Sequence, residues 1–336
     1  MTNRHINRHT KFKFTLLIAL VFIAACSSKY NKPTISKTGE YKLSQNYANH
    51  RAQQSSFISS GGKISYLDYG SGPVLVLLHG VPTSSWLFRK MLPDLQRHFR
   101  VIAIDLLGYG SSDKPSSSAQ NYHASSQANY VQELLQSLDI NQYSLLFHDM
   151  GGLVAWELID RDLVQEQTKR SISNLVLLNT IISEQGFAHP NIKKGLMARQ
   201  MAQAFSNKLS SAAILEMTFA NMGLNTESNL SEGECFGYVE PMREGADEAL
   251  YDFFTGFDDG FFDDLDQKIS GLNKFEGQTF ILWGEKDKVL TTAQLPQLQK
   301  SLNVPEQNIT IFPENAHLLP EEIPQALVDK IISGLL

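Results

Sequence analysis

Cysteine is scarce in this sequence, which contains only Cys26 and Cys235 among its 336 residues. No Cys-x-x-Cys pair occurs, and the one His-x-x-x-His, formed by His5 and His9, lies at the extreme N-terminus. Metal-binding cysteines and histidines normally recur in the body of a domain at short fixed spacings. The sequence therefore gives no support for a metal site.

Basic residues form no cluster in the body of the chain, and the formal net charge is -6 at pH 7. This balance gives no reason to expect a nucleic-acid partner. A glycine-rich phosphate loop is also absent, since Gly108-Tyr109-Gly110 lacks the rest of a dinucleotide-binding motif. We expect no cofactor. With 42% hydrophobic and 19% charged residues, the composition is that of an ordinary globular protein.

The N-terminus has the pattern of a bacterial secretory signal. An apolar run over residues 14–25 follows four basic side chains, and about a dozen residues are too few to span a bilayer alone. The small residues Ala24 and Ala25 before Cys26 resemble a lipobox, in which the cysteine is lipidated. We predict a lipoprotein signal peptide over residues 1–25, with a plain secretory signal or an uncleaved anchor as the alternative.

Lipidation of Cys26 implies that the protein binds a membrane through this anchor. Ser27 resembles the outer-membrane sorting pattern, so we predict an outer-membrane lipoprotein that faces the periplasm. Cys235 then has no partner for a disulfide and is interpreted as a buried structural thiol. Residues 26–50, rich in Ser, Lys, Asn and Thr, are predicted to form a flexible tether.

Strand-like and helix-like segments alternate after the tether. Solid apolar runs are typical of strands buried on both faces, and helical stretches such as 130–138 and 153–163 separate them. This order predicts an α/β fold with a doubly wound, mostly parallel sheet. The predicted strands are residues 64–69, 74–78, 101–104, 144–147, 175–178, 280–283 and 309–312.

The alternation stops between residues 183 and 272. This segment is helix-like over 193–205 and 212–222 and has no buried strand run, and it is too long for an ordinary loop. We predict a helical cap over 183–272, inserted between core segments 51–182 and 273–336. Such a cap would cover the carboxyl ends of the strands, where these sheets bind ligands.

Three polar groups follow predicted strands. His148-Asp149-Met150-Gly151-Gly152 has the strand–turn–helix form of a nucleophile elbow, with Asp149 in the nucleophile position; a helix N-cap is the plainer reading of Asp149 alone. Asp287 and His317 end later strands, in the chain order nucleophile, acid, histidine. We predict that His317 activates water and that Asp287 orients its ring.

The loop after the strand 74–78 is predicted to complete an oxyanion hole. In this arrangement the hole uses one backbone N–H from that loop and one from the residue after the nucleophile. Here those residues are Val81 and Met150. Gly80 allows the chain to pass close to the reacting centre, whereas His79 is interpreted as structural.

From about residue 55 the chain resembles the α/β-hydrolase superfamily, in particular its epoxide hydrolase and haloalkane dehalogenase branch. The motifs are His79-Gly80-Val81-Pro82, residues 105–115, His148–Gly152, Gly284–Asp287 and Ala316-His317. Residues 147–161 also resemble the mesoderm-specific transcript protein. The resemblance implies a hydrolase that uses an aspartate nucleophile through an alkyl-enzyme ester.

Departures from the pattern bear on the substrate. Haloalkane dehalogenases usually carry Asn or Glu at the position of Val81 and Trp at that of Met150, and these side chains stabilise the departing halide; Val and Met cannot. Epoxide hydrolases need cap tyrosines as acids, for which Tyr238 and Tyr251 are the candidates; aromatic packing is the alternative. Phe253 occupies the usual position of the second tyrosine.

We therefore predict an epoxide hydrolase-like enzyme for a small apolar substrate. A dehalogenase with an altered halide site is the second hypothesis, and a non-catalytic binding or regulatory protein that retains the fold is the third. Nothing in the sequence indicates an oligomeric state.

Overall fold

A computed structural model of the protein describes residues 45–116, 122–164, 171–183, 186, 222, 232–255 and 261–336. Eight strands form one sheet: β1 Ser55–Ser59, β2 Gly62–Tyr69, β3 Val74–Leu78, β4 Arg100–Asp105, β5 Gln142–Asp149, β6 Ser171–Thr180, β7 Gln278–Gly284 and β8 Ile309–Phe312. Their spatial order is β1-β2-β4-β3-β5-β6-β7-β8. The β1–β2 and β2–β4 pairs are antiparallel and the others parallel.

The predicted fold class, a doubly wound and mostly parallel sheet, is confirmed. Each predicted strand falls inside an observed one, because solid apolar runs satisfy a strand covered on both faces; Leu75–Leu78 of β3, for example, are fully buried. Among the strands of the described residues, β1 alone was not predicted. It is a serine-rich edge strand with most side chains exposed, so it lacks the apolar run on which the prediction relied.

Ten helices precede, separate or follow the strands in the described part of the chain. They are α1 Gln45–Ala52, α2 Leu92–Leu95, α3 Ala124–Ser137, α4 Gly151–Val164, α5 Glu232–Arg243, α6 Asp247–Thr255, α7 Phe261–Gly271, α8 Leu295–Ser301, α9 Leu319–Glu322 and α10 Pro324–Leu335. Short 3₁₀ turns occur at Ser85–Phe88, Leu272–Lys274, Thr292–Gln294 and Glu306–Asn308. The predicted helices 130–138 and 153–163 correspond to α3 and α4.

The tether predicted over residues 26–50 extends too far, because its last six residues belong to α1. Tyr47 is fully buried and lies edge-on to Trp86, with ring centroids 5.4 Å apart. His50, one turn later, also contacts the Trp86 ring. Two aromatic residues at helical spacing in a polar segment make a weak hydrophobic pattern, and so the sequence did not reveal this helix.

Described residues between β6 and β7 are helical, as the predicted cap requires, and include α5, α6 and α7. Because β6 and β7 pair directly, the described helices between them lie outside the sheet. Helix α6 approaches the core at Gly108, where a Cβ would overlap Ala249. The helical stretches predicted over 193–205 and 212–222 lie outside the described residues, apart from Met222, and the exact limits of the cap stay a prediction.

No helix within the described ranges is both long and apolar enough to cross a membrane. The predicted signal peptide and Cys26 lie outside those ranges, and so does the tether before α1. The side chain of Cys235 is likewise not described, although its backbone is part of α5.

Candidate active site

Asp149 occupies a sharp turn between β5 and α4. Its φ of 51° is unusual for a residue other than glycine, although Asp tolerates this region better than most. The Thr180 hydroxyl donates a 2.8 Å hydrogen bond to the Asp149 carbonyl. A Cβ at Gly151 or Gly152 would overlap neighbouring atoms, so both glycines are needed for the turn. This is the geometry of a nucleophile elbow.

The loop after β3 lies beside Asp149 because β3 and β5 are parallel neighbours whose carboxyl ends share one edge of the sheet. The Val81 N–H donates to Asp149 Oδ1 over 2.8 Å. The Met150 N–H also hydrogen-bonds the Asp149 carboxylate. Gly80 is essential to this approach, since a Cβ there would overlap the Asp149 side chain. The predicted pair of backbone donors therefore converges on the Asp149 carboxylate.

His79 holds this loop in place. Its Nε2 accepts the Leu106 N–H at 3.0 Å, so its Nδ1 carries the hydrogen and donates to the Gly80 carbonyl at 2.8 Å. The side chain is fully buried. These contacts agree with the structural role expected of His79.

Asp287 and His317 meet beside Asp149. The His317 Nδ1 donates to Asp287 Oδ2 over 2.7 Å, and its Nε2 lies 3.6 Å from Asp149 Oδ2. His317 and the Asp287 side chain are fully buried. Within the described part of the chain, His317 Nε2 has no hydrogen-bond partner. The structure thus brings the three predicted residues together, with the free ring nitrogen facing the Asp149 carboxylate.

Sequence reasoning missed Asn179, which orients Asp287. The Asn179 Nδ2 donates to Asp287 Oδ2 at 2.7 Å, while the Val289 and Leu290 N–H groups donate to Oδ1 at 2.7 and 2.9 Å. Asn179 is fully buried at the end of β6, next to β7. A polar residue directly after the buried run Leu175–Leu178 was the available signal.

Electrostatics couple Asp149 and His317. Burial raises the pKa of Asp149 above its usual range, and the nearby His317 and the two backbone donors offset this only in part. Burial lowers the pKa of His317, but Asp287 and then Asp149 outweigh it and leave that pKa above its ordinary value. The pKa of His317 is therefore held above its ordinary value by the two carboxylates beside its ring.

The two cap tyrosines occupy different surroundings. Tyr238 is buried, and its hydroxyl donates to Glu321. Glu321 also pairs with Arg89 and Lys90 of the core. Burial, followed by the Glu321 charge, raises the pKa of Tyr238 well above its ordinary value. Tyr251 is half-buried on α6. Tyr238 is thus part of a buried ion cluster, whereas Tyr251 belongs to the helix that contacts Gly108.

A cavity of about 220 Å³ lies next to the elbow, between α3, α4, α6 and α7. Met150, which follows Asp149, forms part of its wall. Lys268 and Glu157, which form an ion pair, are also part of the wall. The remaining walls are largely apolar and include Leu153, Val154, Trp156, Phe253 and Leu265.

A family model described as the alpha/beta hydrolase fold matches residues 73–323. The chain belongs to the α/β-hydrolase fold family. It is 28% identical over 299 residues to epoxide hydrolase 3 of Xenopus tropicalis, a match that covers 82% of this chain and 75% of that protein. The family and this relative indicate that the protein is a hydrolase.

Shorter matches agree with the predicted branch. A haloalkane dehalogenase of Psychrobacter cryohalolentis is 44% identical over 101 residues, 29% of this chain and 33% of its own length. The mesoderm-specific transcript protein of Mus musculus is 40% identical over 130 residues, 37% of this chain and 38% of its own. A thermophilic esterase structure from Thermogutta terrifontis superposes with a TM-score of 0.65 at 21% identity, covering 84% of this chain and 98% of that one; this likeness concerns the fold.

Proposed function

We propose that the protein is an epoxide hydrolase-like enzyme in which Asp149 attacks a substrate carbon and forms a covalent ester. The observation that carries the proposal is the arrangement of the Asp149 carboxylate. Its Oδ1 accepts the Val81 N–H, while its Oδ2 lies on the side of the His317 ring nitrogen. One oxygen is therefore held by the backbone and the other is available to react.

In the first step, Asp149 Oδ2 forms a bond to a ring carbon of the epoxide as the ring C–O bond breaks. The electron pair of that bond stays on the ring oxygen, which takes a proton from an acid in the cap. Covalent catalysis of this kind divides one difficult displacement into two easier steps. We assign the acid to Tyr251, because its neighbours Asp252 and Phe253 on α6 line the cavity beside Met150. The Tyr238 hydroxyl is donated to Glu321 in a buried ion cluster.

In the second step, His317 Nε2 takes a proton from water as the water oxygen attacks the Asp149 carboxyl carbon. Negative charge then develops on Oδ1, to which the Val81 N–H donates, and the Met150 N–H hydrogen-bonds the same carboxylate. The bond from the carboxyl carbon to Oδ2 breaks, and the product leaves with Oδ2 and the proton from His317. The second proton of the water leaves the regenerated Asp149 carboxyl, and the acid in the cap regains its proton through solvent. Asp287 stabilises the imidazolium that forms in between.

The cavity beside Met150 supports a small, mainly apolar substrate. At about 220 Å³ it is smaller than the sites that enclose drug-sized ligands, which range from about 300 to 1,000 Å³. Val81 and Met150 offer no side-chain N–H donor to a departing halide, and this favours an epoxide over a haloalkane.

The test is to trap the ester. Residues 27–336 are purified with His317→Gln, which leaves the first step possible and blocks the second, and are incubated with styrene oxide, 1,2-epoxybutane and 1-bromobutane. We expect mass spectrometry to show an epoxide adduct on the peptide that contains Asp149. Asp149→Ala is the matched control and should show no adduct.

A single turnover of the wild type in heavy-oxygen water provides the second measurement. Both oxygens of the diol product should be unlabelled, because one comes from the epoxide and the other from Asp149 Oδ2. Solvent oxygen in the product together with no adduct would refute Asp149 as nucleophile. Release of bromide with an alkyl adduct would favour the dehalogenase hypothesis, and an unreactive, folded protein would favour the non-catalytic one.

For the acid, Tyr251→Phe should slow adduct formation about 10²-fold or more while leaving adduct breakdown unchanged. Tyr238→Phe is the comparison and should affect stability more than the first step. Equal rates of adduct formation in wild type and Tyr251→Phe would remove Tyr251 from this role.

A further inference from the structure

His148, the residue before Asp149, is buried beneath the active site. It is fully buried, and its ring centroid lies 4.7 Å from that of His317, with the two planes tilted by 57°. Its Nε2 lies 2.8 Å from the backbone carbonyl oxygen of His317. The mechanism above does not use this side chain.

The hydrogen bond to the His317 carbonyl determines which nitrogen of the His148 ring carries a hydrogen. A carbonyl oxygen can only accept, so Nε2 must carry a hydrogen and donate it. Burial, followed by the nearby His317, lowers the pKa of His148 well below its ordinary value. His148 is therefore neutral, and its Nδ1 is a bare acceptor. That atom is buried and has no hydrogen-bond partner among the described residues.

A buried imidazole with one unsatisfied nitrogen carries a desolvation cost that an apolar side chain of similar size would avoid. The one hydrogen bond that the ring does make joins β5 to the loop after β8, which are separated in the sheet by β6 and β7. This hydrogen bond ends on the backbone carbonyl of His317, the residue whose ring nitrogen faces Asp149.

We propose that His148 is a positioning residue that holds the backbone of His317 so that the His317 Nε2 faces the Asp149 ester. The role rests on the function proposed above, since it acts in the second step, the hydrolysis of the ester. Other contacts hold the ring and the adjoining chain. The Asp287 carboxylate binds the ring Nδ1, and Glu322 accepts the Ala316 N–H at 2.8 Å. His148 alone reaches the His317 carbonyl among the contacts described.

Two amide substitutions distinguish this positioning role from the alternative that His148 only fills space in the core. In His148→Gln the side-chain NH₂ can reach the place of Nε2, whereas in His148→Asn the shorter side chain puts its NH₂ near the place of Nδ1. Both introduce the same chemical group, but only Gln offers a donor to the His317 carbonyl.

Single-turnover rates of adduct formation and breakdown are measured on the epoxide that the wild type hydrolyses fastest. Asp149 performs the first step without His317, so both variants should form the adduct at rates within about threefold of the wild type. Breakdown should fall on the order of 10²-fold in His148→Asn, the loss typical of a misplaced catalytic group. In His148→Gln it should stay within about tenfold of the wild type. Equal breakdown in Gln and Asn would overturn the proposal, and so would an equal loss in both steps.

NMR titration of the His317 ring tests the position without any substrate. The charged or titratable groups that face this ring are Asp287, Asp149, Glu322 and His148. The Gln variant should keep the pKa of His317 raised, as in the wild type. The Asn variant should lower it, because the ring moves away from Asp287. An unchanged titration in His148→Asn would refute the positioning role, whereas absence of any Asp149 adduct in the wild type would refute the proposed function.

Discussion

At the scale of single residues, Asp149 combines two unfavourable features. Its backbone lies in the left-handed region, which costs of order 1–3 kcal/mol outside glycine, and burial disfavours its charged form. The surrounding contacts hold the carboxylate in one orientation, and such strain concentrates at functional sites.

Gly80→Ala tests how closely the loop must approach Asp149. The added Cβ would overlap the Asp149 side chain, so the carboxylate should rotate away from the Val81 N–H. We expect adduct formation on Asp149 to fall at least about 10²-fold. Gly271→Ala is the matched control, since a Cβ there has no neighbour within 4 Å, and it should leave the rate unchanged. Adduct formation at the normal rate in Gly80→Ala would contradict the geometry.

Asp287→Asn tests the charge that raises the pKa of His317. In the wild type, ester hydrolysis needs neutral His317, so its rate should fall as the pH drops through a value above about 6.5, the ordinary histidine pKa. Without the Asp287 charge that pKa should drop, and the acid limb of the profile should move to lower pH. The maximal rate should fall roughly 10²- to 10⁴-fold because the ring loses its orientation.

The measurement is the pH profile of adduct breakdown in a single turnover. Asn179→Ala is the control: it removes one donor from Asp287 but keeps the charge, so the rate should fall with little displacement of the acid limb. An acid limb at the same pH in wild type and Asp287→Asn would show that another group governs it.

At the scale of elements, charged side chains join the cap to the core. Arg89 pairs with Glu234 of α5 at 2.7 Å and with Glu321 of α9. Nearby, Arg51 of α1 pairs with Glu244, directly after α5, at 2.6 Å. Two separate core elements thus pair with α5 or with the residue directly after it, and α9 begins two residues after His317.

Arg89→Met tests this connection. Glu321 is fully buried, and removal of Arg89 leaves its charge only Lys90 and the Tyr238 hydroxyl, so the loss should approach the roughly 3–5 kcal/mol typical of breaking a buried pair. Chemical denaturation should show this loss. The comparison is Lys286→Met, which breaks the exposed Lys286–Glu314 pair and should cost only about 0–1 kcal/mol. Similar losses in both variants would mean that the buried cluster does not stabilise the cap.

At the scale of the whole molecule, we propose that the folded unit is attached to a membrane through Cys26. The unit begins by Gln45, where α1 starts and packs against Trp86. The predicted tether can therefore extend no further than residue 44.

Cys26→Ser tests the anchor. The full-length variant should leave the membrane fraction or keep its leader uncleaved, because serine cannot accept the lipid through sulfur. Cys235→Ser is the matched control and should fractionate like the wild type. Identical processing and fractionation of wild type and Cys26→Ser would refute the lipoprotein hypothesis.

The fold class, the family and the meeting of Asp149, Asp287 and His317 could all be predicted from the order of residues along the chain. These predictions rest on short stretches of sequence. A polar turn that follows a buried apolar strand places its side chains at the carboxyl edge of a parallel sheet, whatever the position of that strand in the sheet. Helix α1 and β1 could not be found this way. Both are polar segments whose few buried residues are recognised only by what they pack against.

The residues that support Asp287 and His317 from distant parts of the chain became visible in the folded structure. Asn179 contacts Asp287, and His148 contacts the His317 backbone, from strands far away in sequence. Tyr238 hydrogen-bonds Glu321 within a cluster that also contains Arg89 and Glu234 from other segments. No spacing along the chain encodes such contacts. The contacts of Asn179 and His148 arise because the sheet order brings the ends of β5, β6, β7 and β8 to one edge. These side chains are buried there, so each polar atom must find its partner within the protein.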